Sequence, residues 1–189
     1  ADELSELVLD LEETLEVESV RGADGAELDF SRDGERLACR IRGPDRAARR
    51  GDDVAVTVAY RGAPHAKNGF DGFHWRTSAD GRPWIATSSQ GTGAHFWWPC
   101  KDSYWTPEDK PERVEVLLDV PAGLIGVANG RLAERTVTGE RETFHWVHED
   151  PLETYAVAIA VGPYEVVETE LELDGIDDPV PFVYYVLPE

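Results

Sequence analysis

The fold of this chain is constrained most by short runs in which apolar and polar side chains alternate. Successive side chains of a β-strand point to opposite faces, so this alternation predicts strands with one buried face. The clearest runs are 7–11, 15–20, 36–42 and 53–60. Further strand candidates are 83–88, 112–119, 124–129, 142–148, 154–161, 164–171 and 180–186. Between the strands lie dipeptides that favour tight turns, namely Asp24-Gly25, Asp33-Gly34, Arg61-Gly62, Asp80-Gly81, Asn129-Gly130 and Thr138-Gly139.

Helix signals are few. The candidates are 44–50 and 106–110, where Thr106 would cap the second helix and Pro107 would occupy its first position. No internal repeat or linker divides the 189 residues. We therefore predict a single all-β domain over residues 1–189. Its antiparallel sheets should form a β-sandwich or a saddle-like arrangement, with one or two very short helices.

The charge of the chain excludes two classes of partner. The sequence has 38 acidic and 18 Lys or Arg residues, a net charge of −20. Nucleic acids and anionic membranes bind clustered basic residues, so neither is an expected partner. No apolar run approaches the roughly 20 residues of a membrane-spanning helix, so no membrane span is expected. The acidity fits adaptation to high salt or ordinary solubility, and cytoplasmic and exported locations both remain open.

The sequence contains no motif of independent catalysis. Neither the zinc motif His-Glu-x-x-His nor the nucleophile motif Gly-x-Ser-x-Gly occurs in it. His145 and His148 are three positions apart on a predicted strand, so they should point to opposite faces. His74 and His95 are flanked by aromatic residues and are expected to pack or to form hydrogen bonds. Because zinc needs three or four converging ligands, we predict no metal site and no catalytic residue in this chain.

The two cysteines, Cys39 and Cys100, allow one disulfide at most. Cys39 alternates in phase with Leu37 and Ile41, which predicts a buried strand position where cysteine acts as a small apolar residue. A Cys39–Cys100 bridge and two free thiols both remain open.

Several segments occur in an order and spacing that resemble a known family. Gly51-Asp52 precedes an alternating strand that ends in Tyr60-Arg-Gly62, and Ala86-Thr-Ser-Ser-Gln-Gly91 leads to Trp98-Pro-Cys-Lys-Asp102. Val127-Ala-Asn-Gly and Thr154-Tyr-Ala-Val-Ala-Ile-Ala-Val-Gly-Pro-Tyr follow. Together they resemble the non-catalytic N-terminal β-domain of the zinc aminopeptidases (gluzincins) related to aminopeptidase N and leukotriene hydrolase.

The resemblance implies that this chain is a domain fragment of a longer metallopeptidase. It is expected to start part-way into the family's N-terminal domain and to end near the boundary of the catalytic domain. Such a domain packs on the catalytic domain of the same polypeptide, which holds the zinc ion, and does not catalyse a reaction alone. The parent protein is then expected to be a zinc metallo-aminopeptidase, a hydrolase.

The resemblance also gives a role to Gln90. Counted back from Pro99-Cys100, Gln90 takes the position of a Gln or Glu that binds the free amino terminus of the peptide substrate in the family. A side-chain carbonyl can accept a hydrogen bond from an ammonium group. The neighbouring Gly91 allows the backbone to come close to a ligand. Gln90 and Gly91 are the substrate-binding residues that we predict.

Five of the six tryptophans lie between residues 75 and 105. Trp97, Trp98 and Trp105 are open to two interpretations. In the family this segment lies against the catalytic domain, and interface cores are rich in aromatic residues. The alternative is a free-standing β-sandwich binding module that binds a carbohydrate or a protein through its Trp-rich face. On a strand, the adjacent Trp97 and Trp98 would point to opposite sides.

Overall fold

The computed structural model describes residues 3–41, 48–49, 51–102 and 110–188. Within these ranges the chain forms short strands and two 3-10 helices, Ala94–Phe96 and Thr154–Ala156. The strands are β1 Glu3–Leu4, β2 Glu6–Asp10, β3 Glu16–Gly22, β4 Phe30–Asp33, β5 Arg36–Arg40, β6 Ala48–Arg49, β7 Val56–Arg61, β8 Gly72–Thr77, β9 Pro83–Ser88, β10 Val114–Pro121, β11 Ile125–Ala128, β12 Arg131–Thr138, β13 Arg141–His148, β14 Ile159–Gly162, β15 Glu165–Leu171 and β16 Val180–Val186. The predicted all-β class with antiparallel sheets is confirmed.

The strands belong to two compact units. Unit 1 comprises the described residues of 1–74, 87–112 and 151–157. Its sheets have the strand orders β2-β5-β4, β3-β7 and β1-β6. The buried residues Val20, Leu37 and Cys39 form its apolar cluster, to which β2, β3 and β7 add half-buried side chains. Leu37 and Cys39 are on the same face of β5 because they are two positions apart, as the alternation predicted.

Unit 2 comprises the described residues of 75–86, 113–150 and 158–189. Its sheets have the strand orders β10-β13-β12, β15-β16 and β11-β14-β9-β8. In the last of these sheets, the first residues of β8 and the last residues of β9 belong to the residue ranges of unit 1. Phe144 and Trp146 of β13 are buried among Val120, Leu124 and Val161. The Trp146 indole Nε1–H donates to the Gly126 carbonyl oxygen at 2.9 Å, so the polar atom of this buried ring is satisfied.

The predicted turn glycines adopt the backbone conformation that such turns require. All six, Gly25, Gly34, Gly62, Gly81, Gly130 and Gly139, have a positive φ. Gly130 shows most clearly why no other residue fits. Its φ is +87°, and a Cβ there would lie 2.1 Å from the Val147 carbonyl oxygen. Any side chain at this turn would therefore collide with the backbone of β13.

Sequence and structure differ at several elements. Strands β9 and β16 match their predicted bounds, whereas β1, β4, β6, β8 and β12 were not predicted as strands. Every residue of β12 is exposed, and its apolar residues Leu132, Ala133 and Val137 do not alternate with polar ones, so the sequence lacks the pattern that reveals a strand. The predicted strand 154–161 begins as a 3-10 helix and becomes a strand only at Ile159.

Most of the two helix candidates, 44–50 and 106–110, lies outside the described residues. Ala48–Arg49 pairs as β6 with β1, so the helix prediction is wrong at these two positions. Among the described residues, no helix has the length and apolar character needed to cross a membrane.

Candidate functional site

Gln90 lies two residues after β9, in a tight loop of unit 1. It pairs with Thr92 across Gly91, whose φ of +79° allows the reversal. The Gln90 backbone N–H donates to Asp71 Oδ1 at 3.2 Å, and the Asn68 side chain donates to the other Asp71 oxygen at 2.9 Å. The Gln90 side chain is exposed, and its carboxamide forms no hydrogen bond with any residue that the structure describes. The loop backbone is thus anchored while the side chain stays available.

The segment after this loop is organised by Asp102. Asp102 Oδ2 accepts hydrogen bonds from the backbone N–H groups of Gly93, at 2.7 Å, and His95, at 3.2 Å. It also accepts one from Nδ1 of the His95 ring. The Asp102 side chain is only 1% exposed, so these donors replace water at Oδ2, whereas the buried Oδ1 has no hydrogen-bond partner among the described residues. Asp102 therefore fixes both the 3-10 helix that carries His95 and the orientation of the His95 ring.

The electrostatics of this pair favour its charged forms. Burial opposes protonation of His95, but the hydrogen bond and charge of Asp102, with the charges of Glu35 and Asp10, outweigh burial and raise the His95 pKa. Burial also opposes ionisation of Asp102. Hydrogen bonds from the His95 ring and from the Gly93 and His95 backbone outweigh it and lower the Asp102 pKa.

Residues 10–12 run alongside this segment and are joined to it by backbone hydrogen bonds. Asp10 and Cys100 exchange two such bonds, of 2.7 and 3.1 Å, and the Glu12 N–H donates to the His95 carbonyl oxygen at 2.9 Å. The Asp102 N–H donates to Asp10 Oδ2 at 3.1 Å. As a result, a side-chain oxygen of Glu12, one of Glu35 and a ring nitrogen of His95 lie within 4.8 Å of one another. Such a set of donors can hold a metal ion.

Sequence reasoning missed this centre because its members are far apart in the chain. Glu12 and Glu35 are two among 38 acidic residues, and nothing in their spacing sets them apart. The available signal was His95 in the same short segment as Asp102 of the Pro-Cys-Lys-Asp motif, seven residues later. The expectation that His95 packs against an aromatic ring and forms hydrogen bonds is confirmed, with its ring centroid 4.3 Å from that of Phe96.

Trp97 and Trp98 form a turn after the 3-10 helix and do not lie on a strand. The picture of opposite strand faces is therefore wrong for them. Their ring centroids are 5.9 Å apart with the planes inclined at 50°. Both rings are half-buried, and each buried indole N–H lacks a hydrogen-bond partner within the described part of the chain. Trp105 lies outside the described residues.

The structure also shows the surroundings of the two cysteines and of the histidines on β13. Cys39 and Cys100 are buried free thiols, so the disulfide alternative is not realised. Burial is the main cause that raises the Cys100 pKa, and the charges of Asp102 and Asp10 add to it. His145 and His148 lie on β13 as predicted, and His145 Nε2 is 2.7 Å from Glu115 Oε2.

The fold of this chain also occurs in solved structures of other proteins. The M1 zinc metallopeptidase of Deinococcus radiodurans matches 96% of this chain at a TM-score of 0.77 and 22% identity, and the match covers 39% of that structure. A mutant of an M1 zinc metallopeptidase from the same organism, bound to a Tyr-Ser-Ala substrate, matches equally well over 40% of its length. The chain therefore has the fold of a part of these metallopeptidases and spans about two fifths of their length.

Sequence comparisons give a more limited likeness. No family model matches the sequence. Transcription initiation factor TFIID subunit 2 of Gallus gallus is 34% identical over 73 residues. Those residues are 38% of this chain and 6% of that protein. The likeness thus extends over less than half of this chain and over a small part of that protein.

Proposed function

We propose that this chain is the N-terminal, non-catalytic domain of a zinc-dependent aminopeptidase. The likeness of fold to M1 zinc metallopeptidases over 96% of the chain carries this proposal, and the order of the sequence motifs supports it. The domain packs on the catalytic domain of the same polypeptide. The zinc ion of the parent enzyme belongs to that other domain, since the His-Glu-x-x-His motif is absent from this sequence.

Gln90 contributes an anchor for the amino terminus of the peptide substrate. The supporting observation is an exposed carboxamide, without a partner among the described residues, on a loop whose backbone Asp71 fixes. The side-chain carbonyl oxygen can accept a hydrogen bond from a substrate ammonium group, and the fixed backbone sets where this side chain starts. Gly91 keeps the loop narrow beside it, because it carries no side chain.

The test of this role uses the full-length parent enzyme. Gln90→Ala should lower kcat/KM for substrates with a free amino terminus by about 1–3 kcal/mol, the value of a hydrogen bond to a charged group. Gln90→Glu should retain much of the activity, because a carboxylate accepts the same hydrogen bond. Thr92→Ala is the matched control, since Thr92 is also exposed and belongs to the same loop. Full activity of Gln90→Ala, or equal losses in Gln90→Ala and Thr92→Ala, would contradict the anchor role.

The tryptophan segment contributes to the surface that meets the catalytic domain. Half-burial and mutual tilting of Trp97 and Trp98 support this interpretation over carbohydrate binding, because a sugar ring stacks on an exposed, flat aromatic face. Isothermal titration calorimetry of the isolated chain with the catalytic fragment and with oligosaccharides distinguishes the interface role from carbohydrate binding. Binding of a sugar that is lost in Trp98→Ala would favour the carbohydrate module.

The likeness to a transcription factor subunit favours a second candidate, in which the same domain serves only protein assembly. Peptidase assays of the full-length parent decide between the candidates. An inactive parent that contains an intact zinc motif, or one that lacks this motif, would support the assembly role.

A further inference from the structure

We propose that Glu12, Glu35 and His95 form a binding site for a divalent transition-metal ion, with Zn²⁺ as the best match. This inference uses only the residues of unit 1 and does not depend on the proposed function. It departs from the sequence-based expectation, which contained no metal site in this chain.

His95 directs one ring nitrogen toward the two glutamates, and this nitrogen can bind a metal ion when the ring is neutral. Its Nδ1–H is directed to Asp102, so in the neutral ring the lone pair is on Nε2. Nε2 is buried and has no hydrogen-bond partner within the described residues, and it lies 3.6 Å from Glu35 Oε1. A carboxylate that orients a histidine through its other nitrogen is the usual arrangement behind histidine metal ligands.

Glu12 supplies a second ligand from a different segment of the chain. The residue is only 6% exposed, and one of its carboxylate oxygens lies within 4.8 Å of a Glu35 oxygen and of a His95 ring nitrogen. Two carboxylates this close repel each other, and a cation placed between them offsets the repulsion. The guanidinium of Arg32 donates to backbone carbonyls on the same side, among them those of Leu11 and Glu12.

Backbone hydrogen bonds bring the three ligands together before any metal binds. The Glu12 N–H donates to the His95 carbonyl at 2.9 Å, and the Leu11 N–H donates to the Glu35 carbonyl at 2.8 Å. The donor atoms lie within 4.8 Å of one another, and tetrahedral zinc with bonds of about 2.0–2.1 Å needs ligands about 3.3 Å apart. The Glu35 side chain is 53% exposed and can rotate to close the difference.

The donor set determines the class of metal. One imidazole nitrogen and two carboxylate oxygens suit Zn²⁺ or Co²⁺, whereas Ca²⁺ needs six to eight oxygen ligands. The exposed side of Glu35 leaves room for water as a fourth ligand. A bound ion would join three segments of unit 1: the one between β2 and β3, the one between β4 and β5, and the one between β9 and β10. This link would stabilise unit 1.

The test begins with the 189-residue chain after chelation and dialysis, titrated with ZnCl₂ in a calorimeter at pH 8. The alkaline pH matters because the raised His95 pKa makes protons compete with the metal. We expect one equivalent of Zn²⁺ to bind and the melting temperature to rise with zinc concentration. Co²⁺ should give visible absorption bands typical of four- or five-coordinate sites.

Glu35→Gln is the main variant, because Glu35 is exposed and its loss should not unfold the chain. It should weaken Zn²⁺ binding at least about tenfold and remove the Co²⁺ bands. His145→Gln is the matched control, since His145 also pairs with a glutamate but lies outside the site, and it should bind like the unaltered chain. The absence of stoichiometric zinc binding by the folded chain, or equal binding by Glu35→Gln, would overturn the proposal.

Discussion

The two compact units of this protein hold their chain segments by different means. In unit 2, the aromatic side chains Phe144 and Trp146 are surrounded by aliphatic residues of neighbouring strands. In unit 1, the apolar cluster consists of the smaller residues Val20, Leu37 and Cys39, and Phe96 is buried as well. Unit 1 also contains a buried Asp102 that accepts three hydrogen bonds. Unit 2 therefore relies on the packing of large apolar side chains, whereas unit 1 combines apolar packing with a polar network.

This difference has a consequence for mutation and for ligands. Apolar packing tolerates changes that conserve volume, whereas a buried polar network loses stability whenever one member lacks its partner. A polar centre in which two carboxylates and a histidine converge can also gain stability from a bound ion. Unit 1 is therefore the unit whose stability we expect to respond to solution conditions.

The largest expected effect is the removal of Phe144, which is 2% exposed. Phe144→Ala should lower the free energy of unfolding by about 3–5 kcal/mol, because the apolar contacts are lost and a cavity remains. Hydrogen exchange of backbone amides should show the loss in β10 and β13. Phe182→Ala, at a residue that is 44% exposed, is the control and should cost far less. If both variants lose the same free energy of unfolding, unit 2 does not depend on a packed apolar core and the comparison of the two units fails.

The next effect concerns the polar network. Asp102→Ala should cost about 2–4 kcal/mol in the presence of a chelator, since the N–H groups of Gly93 and His95 lose their acceptor. Asp102→Asn keeps one side-chain oxygen and should cost less. Chemical denaturation measures both variants. If Asp102→Asn is as damaging as Asp102→Ala, a single accepting oxygen is not what holds this segment.

A smaller effect should appear at alkaline pH. The Tyr60 hydroxyl donates to the Trp97 carbonyl at 2.8 Å, and burial, with a smaller contribution from Cys100, raises the Tyr60 pKa to about 12. Unfolded tyrosine ionises near pH 10, so above that pH the unfolded state binds fewer protons than the folded state. The contribution of Tyr60 to stability is thus present below pH 10 and is lost as the pH rises toward 12.

Absorbance near 295 nm during a pH titration follows this ionisation directly. Tyr60→Phe should remove the phase with the highest apparent pKa and cost about 1 kcal/mol at pH 7, the value of one hydrogen bond. An unchanged titration curve in Tyr60→Phe would assign that phase to another tyrosine, such as Tyr164, whose pKa burial also raises.

The alternation of apolar and polar residues was enough to predict the all-β class, most strands and the buried face of β5. These features are local, since they depend on a two-residue period and on glycines at turns such as Asn129-Gly130. Strand β12 could not be found in this way because it is exposed on both faces and depends on pairing with β13. The position of Gln90 in an exposed loop was compatible with the prediction, and its role in binding a substrate stays a prediction.

The centre formed by Glu12, Glu35, His95 and Asp102 was decided by the tertiary structure alone. Its residues come from distant parts of the chain, and no sequence period marks positions that meet only after folding. Backbone hydrogen bonds from residues 10–12 to Glu35, His95 and Cys100 create the proximity. The sequence by itself determined which residues could serve as strands, turns and ligands, because those properties belong to single residues and their neighbours. Which of the 38 acidic residues would share a buried site with a histidine depended on the folded chain.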